Sequence, residues 1–183
     1  LPVISPLLEK KISLPEKDII LDFICRNGSA GDIKTVINFI ELNKDDNESE
    51  RLVRKAFEIL RKIGAGEDEA VSYIVSSVRS SENARYLYSA ISALSIVRKI
   101  EIYEELLKRN DDEISYYVFL SIYNLNKDIY KEDSADEPGD NPHHGEFVEQ
   151  QMTADQELLL NVKVLLGKIT SRYENYSVKT KSS

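Results

Sequence analysis

The stretch that most narrows the fold runs from Asn47 to Val78, NESERLVRKAFEILRKIGAGEDEAVSYIVSSV. In its first half Leu52, Val53, Ala56, Phe57, Leu60 and Ile63 recur at steps of three and four residues, which lines them along one stripe of a helix. Arg51, Lys55, Glu58 and Lys62 fall on the wet side of the same helix. Asn47 stands where an N-cap belongs, and Glu50, three residues on, is placed to reach back to it, a capping-box spacing that satisfies otherwise orphaned amides. Gly64 is positioned to end the helix. After the Gly64-Ala65-Gly66 turn, Glu67, Asp68 and Glu69 bring negative charge to a helix start, where the dipole favours it, and Val71, Ile74, Val75 and Val78 resume the stripe. Two helices joined by so short a turn are expected to lie antiparallel.

Similar spacing runs through the rest of the chain. Leu1 to Leu14 reads as a short helix closing one end, with Leu7, Leu8 and Ile12 as its apolar residues. Pro15 suits the first turn of the next helix, in which Ile19, Ile20, Phe23 and Ile24 are expected to face inward before Asn27-Gly28 stops it. Ser29 to Asp32 launches a partner with Ile33, Val36, Ile37 and Ile40 inside. Beyond the central pair, Ser80 or Ser81 is expected to cap a helix whose core residues are Leu87, Ala90, Ile91, Leu94 and Val97. Ile102, Tyr103, Leu106 and Leu107 mark a shorter companion, and Asp111-Asp112 begins another helix with Val118, Ser121, Ile122 and Leu125. Ile24, Leu60, Leu94 and Leu125 stand 36, 34 and 31 residues apart, the irregular period of a helical repeat array. A tetratricopeptide array shares the period, but its small and aromatic signature is not visible here.

The pattern lapses from Tyr130 to Gln151. There the sequence is acidic, with two prolines and two glycines, and is expected to form a mobile loop. Thr153 and Gln156 repeat the capping-box spacing, and Leu158, Val162, Leu165 and Ile169 form a stripe that extends to Tyr173 and Tyr176. The expected organisation is a helical array over residues 1–130, an acidic loop over 131–151, a C-terminal helix over 152–176 packed on the array, and a disordered basic tail over 177–183.

Within the central stretch Val53-Arg54, Ala56, Leu60, Lys62-Ile63-Gly64 and Ala70-Val71 carry a recognisable pattern: a Val-Arg pair, a small residue, a Leu, a Lys-Ile-Gly turn and an Ala-Val opening the second helix. In this the chain resembles the HEAT-like repeats of the PBS-lyase type. The resemblance implies an all-α fold, an α–α superhelix or solenoid of three to four antiparallel helix pairs with a C-terminal capping helix. Most proteins built this way are non-enzymatic scaffolds that hold a protein partner, and the second helix of each pair lines their concave face. On that face this chain is expected to present Lys34 and Asn38, then Tyr73 and Ser76, then Glu105 and Lys108.

Charge and composition bear on the rival functions. The net charge of −8 is uneven: residues 131–155 carry eight acidic side chains and one basic, whereas residues 156–183 carry five basic and two acidic. An acidic chain disfavours nucleic acid as the partner, although the basic run Arg51, Arg54, Lys55, Arg61 and Lys62 makes nucleic-acid binding the second reading and a salt-sensitive affinity its signature. Self-association is the third, through apolar ends exposed in a piece of a longer array. Ten tyrosines, six of them at or after Tyr116, add residues suited to interfaces because the ring can be buried while the hydroxyl stays wet. No cofactor, metal or catalytic set is expected. The only histidines, His143 and His144, are adjacent in the Pro-Gly-rich loop and lack the helical spacing that fixes ligands, and the chain has none of the repeated His-Glu pairs used by HEAT-like metal hydroxylases. The single Cys25 is expected to be an inert core thiol. No apolar run is long enough to span a membrane. The default location is cytoplasmic, with an extracytoplasmic one left open because the sequence starts at Leu1 and reads as an excised or processed piece.

Overall fold

Around the Gly64 turn the structure, a computed structural model, describes residues 5–8, 12–109, 111–135, 157–158 and 160–171. Among these every regular element is helical. In order they are α1 (Ser5–Leu8), α2 (Leu14–Asn27), α3 (Ile33–Asn43), α4 (Glu50–Ile63), α5 (Asp68–Ser80), α6 (Ala84–Ser92), α7 (Ile100–Leu107) and α8 (Asp112–Ala135). A further helix, α9, is described over 160–171, and short 3-10 turns occupy Ala30–Asp32, Asn47–Ser49 and Leu94–Ile96. The chain divides into two compact units, Leu1–Val97 and Arg98–Ser183.

The first unit is assembled on α4. Leu52, Val53, Ala56, Phe57, Ile59 and Leu60 are all buried. At 3.6 residues per turn they cover an arc of about 160°, too wide for a helix resting on a single neighbour. The width is used: α4 packs against α2, α3 and α6, while α3 also touches α5, and α5 packs on α6. Ile59 was not part of the expected stripe, whereas Ile63, which was, is only half-buried. Beyond the Gly64 turn α5 meets α4 through rings, with Phe57 and Tyr73 stacked at 6.2 Å between centroids and Tyr86 of α6 edge-on to Phe57 at 5.3 Å. The expected pairing of α4 with α5 is thus carried by the Phe57–Tyr73 contact, whereas the principal neighbours of α4 are α3, α6 and α2.

Several local expectations are corrected. Asn47 does not cap α4. Instead Asp46 accepts from the Glu48 amide and starts a 3-10 turn, and α4 follows directly from Ser49, whose hydroxyl donates to Asp46 Oδ2 at 2.6 Å. The capping boxes occur earlier, at Ser13 with Glu16 and at Ser29 with Asp32. Helix α6 is capped by Asn83, whose side chain accepts from the amides of Arg85 and Tyr86, and not by Ser80 or Ser81. On α2, Leu21 and Ile24 are buried, Ile20 and Cys25 are half-buried, and Ile19 and Phe23 are exposed. Ion pairs accompany this rotation: Asp18 pairs with both Arg51 and Lys55 of α4, and Asp22 pairs with Lys55 at 2.6 Å. The Lys62 ammonium donates to the Cys25 carbonyl, and that of Lys17 donates to Asn43 Oδ1 at 2.8 Å. On α3 the inward residues include Phe39, with Ile37 at the boundary.

In the second unit α7 packs on α8. The expected inward residues Ile102, Tyr103 and Leu106 of α7, and Val118, Ser121, Ile122 and Leu125 of α8, are buried. Asp111 caps α8 by accepting from the Ile114 amide at 2.8 Å, and α8 continues to Ala135, past the expected boundary at Tyr130. Leu158, Val162, Leu165 and Ile169 are buried as the stripe requires, and Lys168 of α9 donates to Glu104 Oε1 of α7 at 3.0 Å. Most of the acidic loop with His143 and His144, the Thr153–Gln156 cap, Tyr173, Tyr176 and the basic tail lie outside the described residues.

Candidate functional site

The C-terminal turn of α3, the second half of α5 and the first turn of α6 converge on a polar cleft of about 410 Å³. The amphipathic rotation of each helix decides what faces it. With Ile33, Val36 and Ile40 of α3 turned to the core, Glu41 faces out, followed by Lys44 and Asp45 just past the helix end. With Ala70, Ile74 and Val78 of α5 turned inward, Tyr73, Ser76, Ser77 and Ser80 face the cleft. The connection to α6 adds Ser81, Glu82 and Asn83, and Tyr86 reaches in from the first turn.

A continuous run of hydrogen bonds crosses this lining. The Lys44 ammonium donates to Glu41 Oε2 at 2.7 Å, and the Tyr73 hydroxyl donates to Glu41 Oε1 at 2.7 Å. The Tyr86 hydroxyl lies 3.1 Å from that of Tyr73 and 2.9 Å from Ser77 Oγ. Burial, reinforced by its hydrogen bonds to Tyr86 and Glu41, raises the Tyr73 phenol well above its ordinary value, so it stays a neutral donor at physiological pH. Burial acts to raise the Glu41 carboxyl, but the hydrogen bonds from Lys44 and Tyr73 outweigh it and hold the group below the usual glutamate value. Lys44 is raised in turn, chiefly by its bond to Glu41. The serines are arranged differently. Ser76 Oγ donates to the Tyr73 carbonyl at 2.8 Å, Ser80 Oγ to the Ser76 carbonyl at 2.8 Å, and Ser81 Oγ to the Asn83 carbonyl at 3.1 Å. Their protons are committed to backbone, which leaves their lone pairs as the groups to offer a ligand. The lining therefore offers acceptors at its serines beside the Lys44 ammonium and the Asn83 amide as donors, and its carboxylates outnumber its one ammonium.

Of the residues expected on a binding face, Tyr73 and Ser76 line this cleft. Lys34 and Asn38 are exposed on the same side of α3, toward its N-terminus and outside the cleft. Glu105 and Lys108 belong to the other unit, where both are exposed and Lys108 lines a smaller cleft of about 270 Å³ with Glu104, Leu107, Leu165, Lys168 and Ile169. Sequence reasoning missed Glu41, Ser77 and Tyr86. A tyrosine on α5 and another on α6, each one turn from a serine or an acid, was the available signal, but the contact between Glu41 and Tyr73 joins residues 32 positions apart.

The basic run is largely spoken for. Arg51 and Lys55 are held by Asp18 and Asp22, and Lys62 by the Cys25 carbonyl, while Arg54 is exposed. On α8, Tyr116, Phe119 and Tyr123 are exposed at helical spacing. Among the described residues no group of three or more His, Cys, Asp or Glu is placed to hold a metal ion, and no helix is long and apolar enough to cross a membrane. No family model matches the chain, and no curated protein or solved structure matches it significantly.

Proposed function

We propose that this chain is a non-enzymatic protein-interaction module, built as an array of HEAT-like helix pairs, whose working surface in the first unit is the cleft between α3, α5 and α6. The contacts of α4 with both α2 and α6, and of α3 with α5, support the array, because repeats stacked in register bring every second helix into contact. The observation that carries the function is the cleft itself, an open polar concavity lined from three helices, in which Glu41, Tyr73 and Tyr86 are already fixed by mutual hydrogen bonds. Groups held in place before binding lose little freedom on binding, so such a surface suits recognition. Nucleic acid is the weaker reading, since Arg51 and Lys55 of the basic run are paired with carboxylates of α2.

The test is site-specific photo-crosslinking in extracts of the source organism, with Ser76→p-benzoylphenylalanine in the cleft and Glu58→p-benzoylphenylalanine on the exposed side of α4 as the control. A protein adduct formed from position 76 and absent from position 58 supports the reading. The same adducts from both positions, or none from 76, would overturn it. The exposed Tyr116, Phe119 and Tyr123 stripe favours a second reading, self-association through α8. It predicts a concentration-dependent sedimentation coefficient that Phe119→Arg abolishes.

A further inference from the structure

The turn that ends α2 holds a chemically reactive pair. Asn27 is the last residue of the helix and is exposed, and Gly28 follows it as the cap. This is the single Asn-Gly step in the chain; every other asparagine precedes a residue with a side chain. The side-chain carbonyl carbon of an asparagine is open to attack by the main-chain nitrogen of the next residue, and a glycine leaves that nitrogen unshielded. Packing keeps the glycine in place, because a Cβ at position 28 would run into the Ile24 carbonyl oxygen. In the closed turn both reacting groups are held. The Gly28 N–H donates to the Ile24 carbonyl at 2.7 Å, and Asn27 Nδ2 donates to the Phe23 carbonyl at 3.0 Å. Helical backbone at residue 27 also keeps the nitrogen of residue 28 away from the carbon it would attack. Anchors on either side confine opening to this turn: Ile24 is buried on the helix side, and beyond the turn Asp32 Oδ2 accepts from the Ser29 amide at 3.0 Å. Between them Asn27 is exposed and Gly28 half-buried, and a helix end that buries so little opens at low cost.

We infer that Asn27 is a site of spontaneous deamidation, gated by opening of the last turn of α2. Once the turn opens, the Gly28 nitrogen bonds to the Asn27 side-chain carbonyl carbon and gives up its proton, the side-chain nitrogen leaves as ammonia, and a five-membered succinimide closes. Water then adds to one of the two ring carbonyls and breaks its bond to nitrogen. The product is aspartate at position 27, or isoaspartate with the main chain routed through the former side chain. Water is the only co-reactant. Either product sets a carboxylate at the negative end of the α2 dipole and removes the donor to the Phe23 carbonyl, so conversion loosens the turn for good. The inference does not rest on the interaction-module reading.

The experiment incubates the full chain at mildly alkaline pH and samples it over time by digestion after lysine, which places Asn27 in a peptide of residues 18–34 that holds no other amide side chain. Chromatography with mass spectrometry separates the asparagine, aspartate and isoaspartate forms. A synthetic 18–34 peptide in the same buffer supplies the ungated rate. Conversion at Asn27 is expected in the folded chain, slower than in the peptide by about tenfold or more. Lys62→Met removes the bond from the exposed Lys62 ammonium to the Cys25 carbonyl, two residues before Asn27, and should speed conversion by about twofold or more while circular dichroism shows the helices retained. No conversion in the folded chain while the peptide converts to completion would overturn the inference. So would a rate equal to that of the peptide, or a Lys62→Met rate equal to that of the parent, since either removes the gate.

Discussion

Replacing Gly64 by alanine probes the joint on which the first unit turns. Gly64 has φ −103° and ψ 7°, values open to other residues, so the glycine is there for space and not for conformation. A Cβ built on it would lie 2.6 Å from the Leu60 carbonyl oxygen and closer still to the Ala70 Cβ. Neither obstacle is the loose end of a long side chain: one is backbone, and the other is the only side-chain carbon of a fully buried residue in the first turn of α5. Relief requires α5 to move off its seat. Overpacking of this kind costs about 1–3 kcal/mol, and two immovable contacts place Gly64→Ala at about 2–3 kcal/mol. The midpoint of thermal unfolding should fall by roughly 5–10 °C. Ala70→Gly removes the nearer clash at a cost of about 1 kcal/mol in helix propensity. The double variant should therefore be more stable than the sum of the singles by about 1–2 kcal/mol. Gly66→Ala is the contrast. Gly66 has φ +81° and open space around its Cα, so its cost of about 1 kcal/mol is conformational and Ala70→Gly should not rescue it. Urea denaturation followed by circular dichroism measures all four variants. A Gly64→Ala chain within about 0.5 kcal/mol of the parent, or strictly additive singles, would refute the close-approach argument.

The other predictions are briefer. Asp18→Asn should cost about 1 kcal/mol at neutral pH, since one carboxylate serves both Lys55 and Arg51. Hydrogen bonds from Lys55 and Arg51 hold Asp18 below the ordinary aspartate value of 3.8, so its contribution is present above that value and is lost as pH falls through the lower folded value. The gap between variant and parent in denaturation experiments should close below about pH 4, and a gap that widens on acidification would contradict the assignment. Asn83→Ala should destabilise by about 1 kcal/mol through loss of the α6 cap, whereas Ser81→Ala, which removes only a bond to the Asn83 carbonyl, should stay within about 0.5 kcal/mol of the parent in the same assay. Ser95→Ala should stabilise by about 1 kcal/mol, because the Ser95 hydroxyl is buried with no hydrogen-bond partner among the described residues; a lower melting temperature would count against this. Ile59→Ala should cost about 2–5 kcal/mol, as much as Leu60→Ala, if α4 is enclosed over the wide arc described above.

How much of this was legible from the residues depended on what each feature requires. Gly64, the first turn of α5, the α6 residues Leu87, Ala90 and Ile91, and the Leu158 to Ile169 stripe could be read because apolar spacing and local breakers carry the information themselves. Ile59 and Phe39 escaped because a periodicity argument assumes one buried face, and α3 and α4 are covered by more than one neighbour. The rotation of α2 was misjudged for a different reason. The run Ile19-Ile20-Leu21 followed by Phe23-Ile24-Cys25 has apolar residues at so many positions that several phases fit it, and the observed phase, with Leu21 and Ile24 inward, also brings Asp18 and Asp22 to Lys55, 37 and 33 residues away. The cleft was half visible. Tyr73 and Ser76 follow from the outward side of α5, but Glu41 and Tyr86 join them only through tertiary packing.

The way α2 is attached has a consequence for the molecule's behaviour. Over its 14 residues only Leu21 and Ile24 are fully buried, while its bonds to the rest of the unit run through Lys17, Asp18, Asp22 and the Cys25 carbonyl. An attachment made of charge weakens with added salt, whereas apolar burial in α4 does not. The hold on the edge of the first unit is therefore more sensitive to salt than its centre. Arg51, Lys55 and Lys62 all bond to α2, so ionic strength acts at once on the hold of this helix and on the pairing of the cations beneath it.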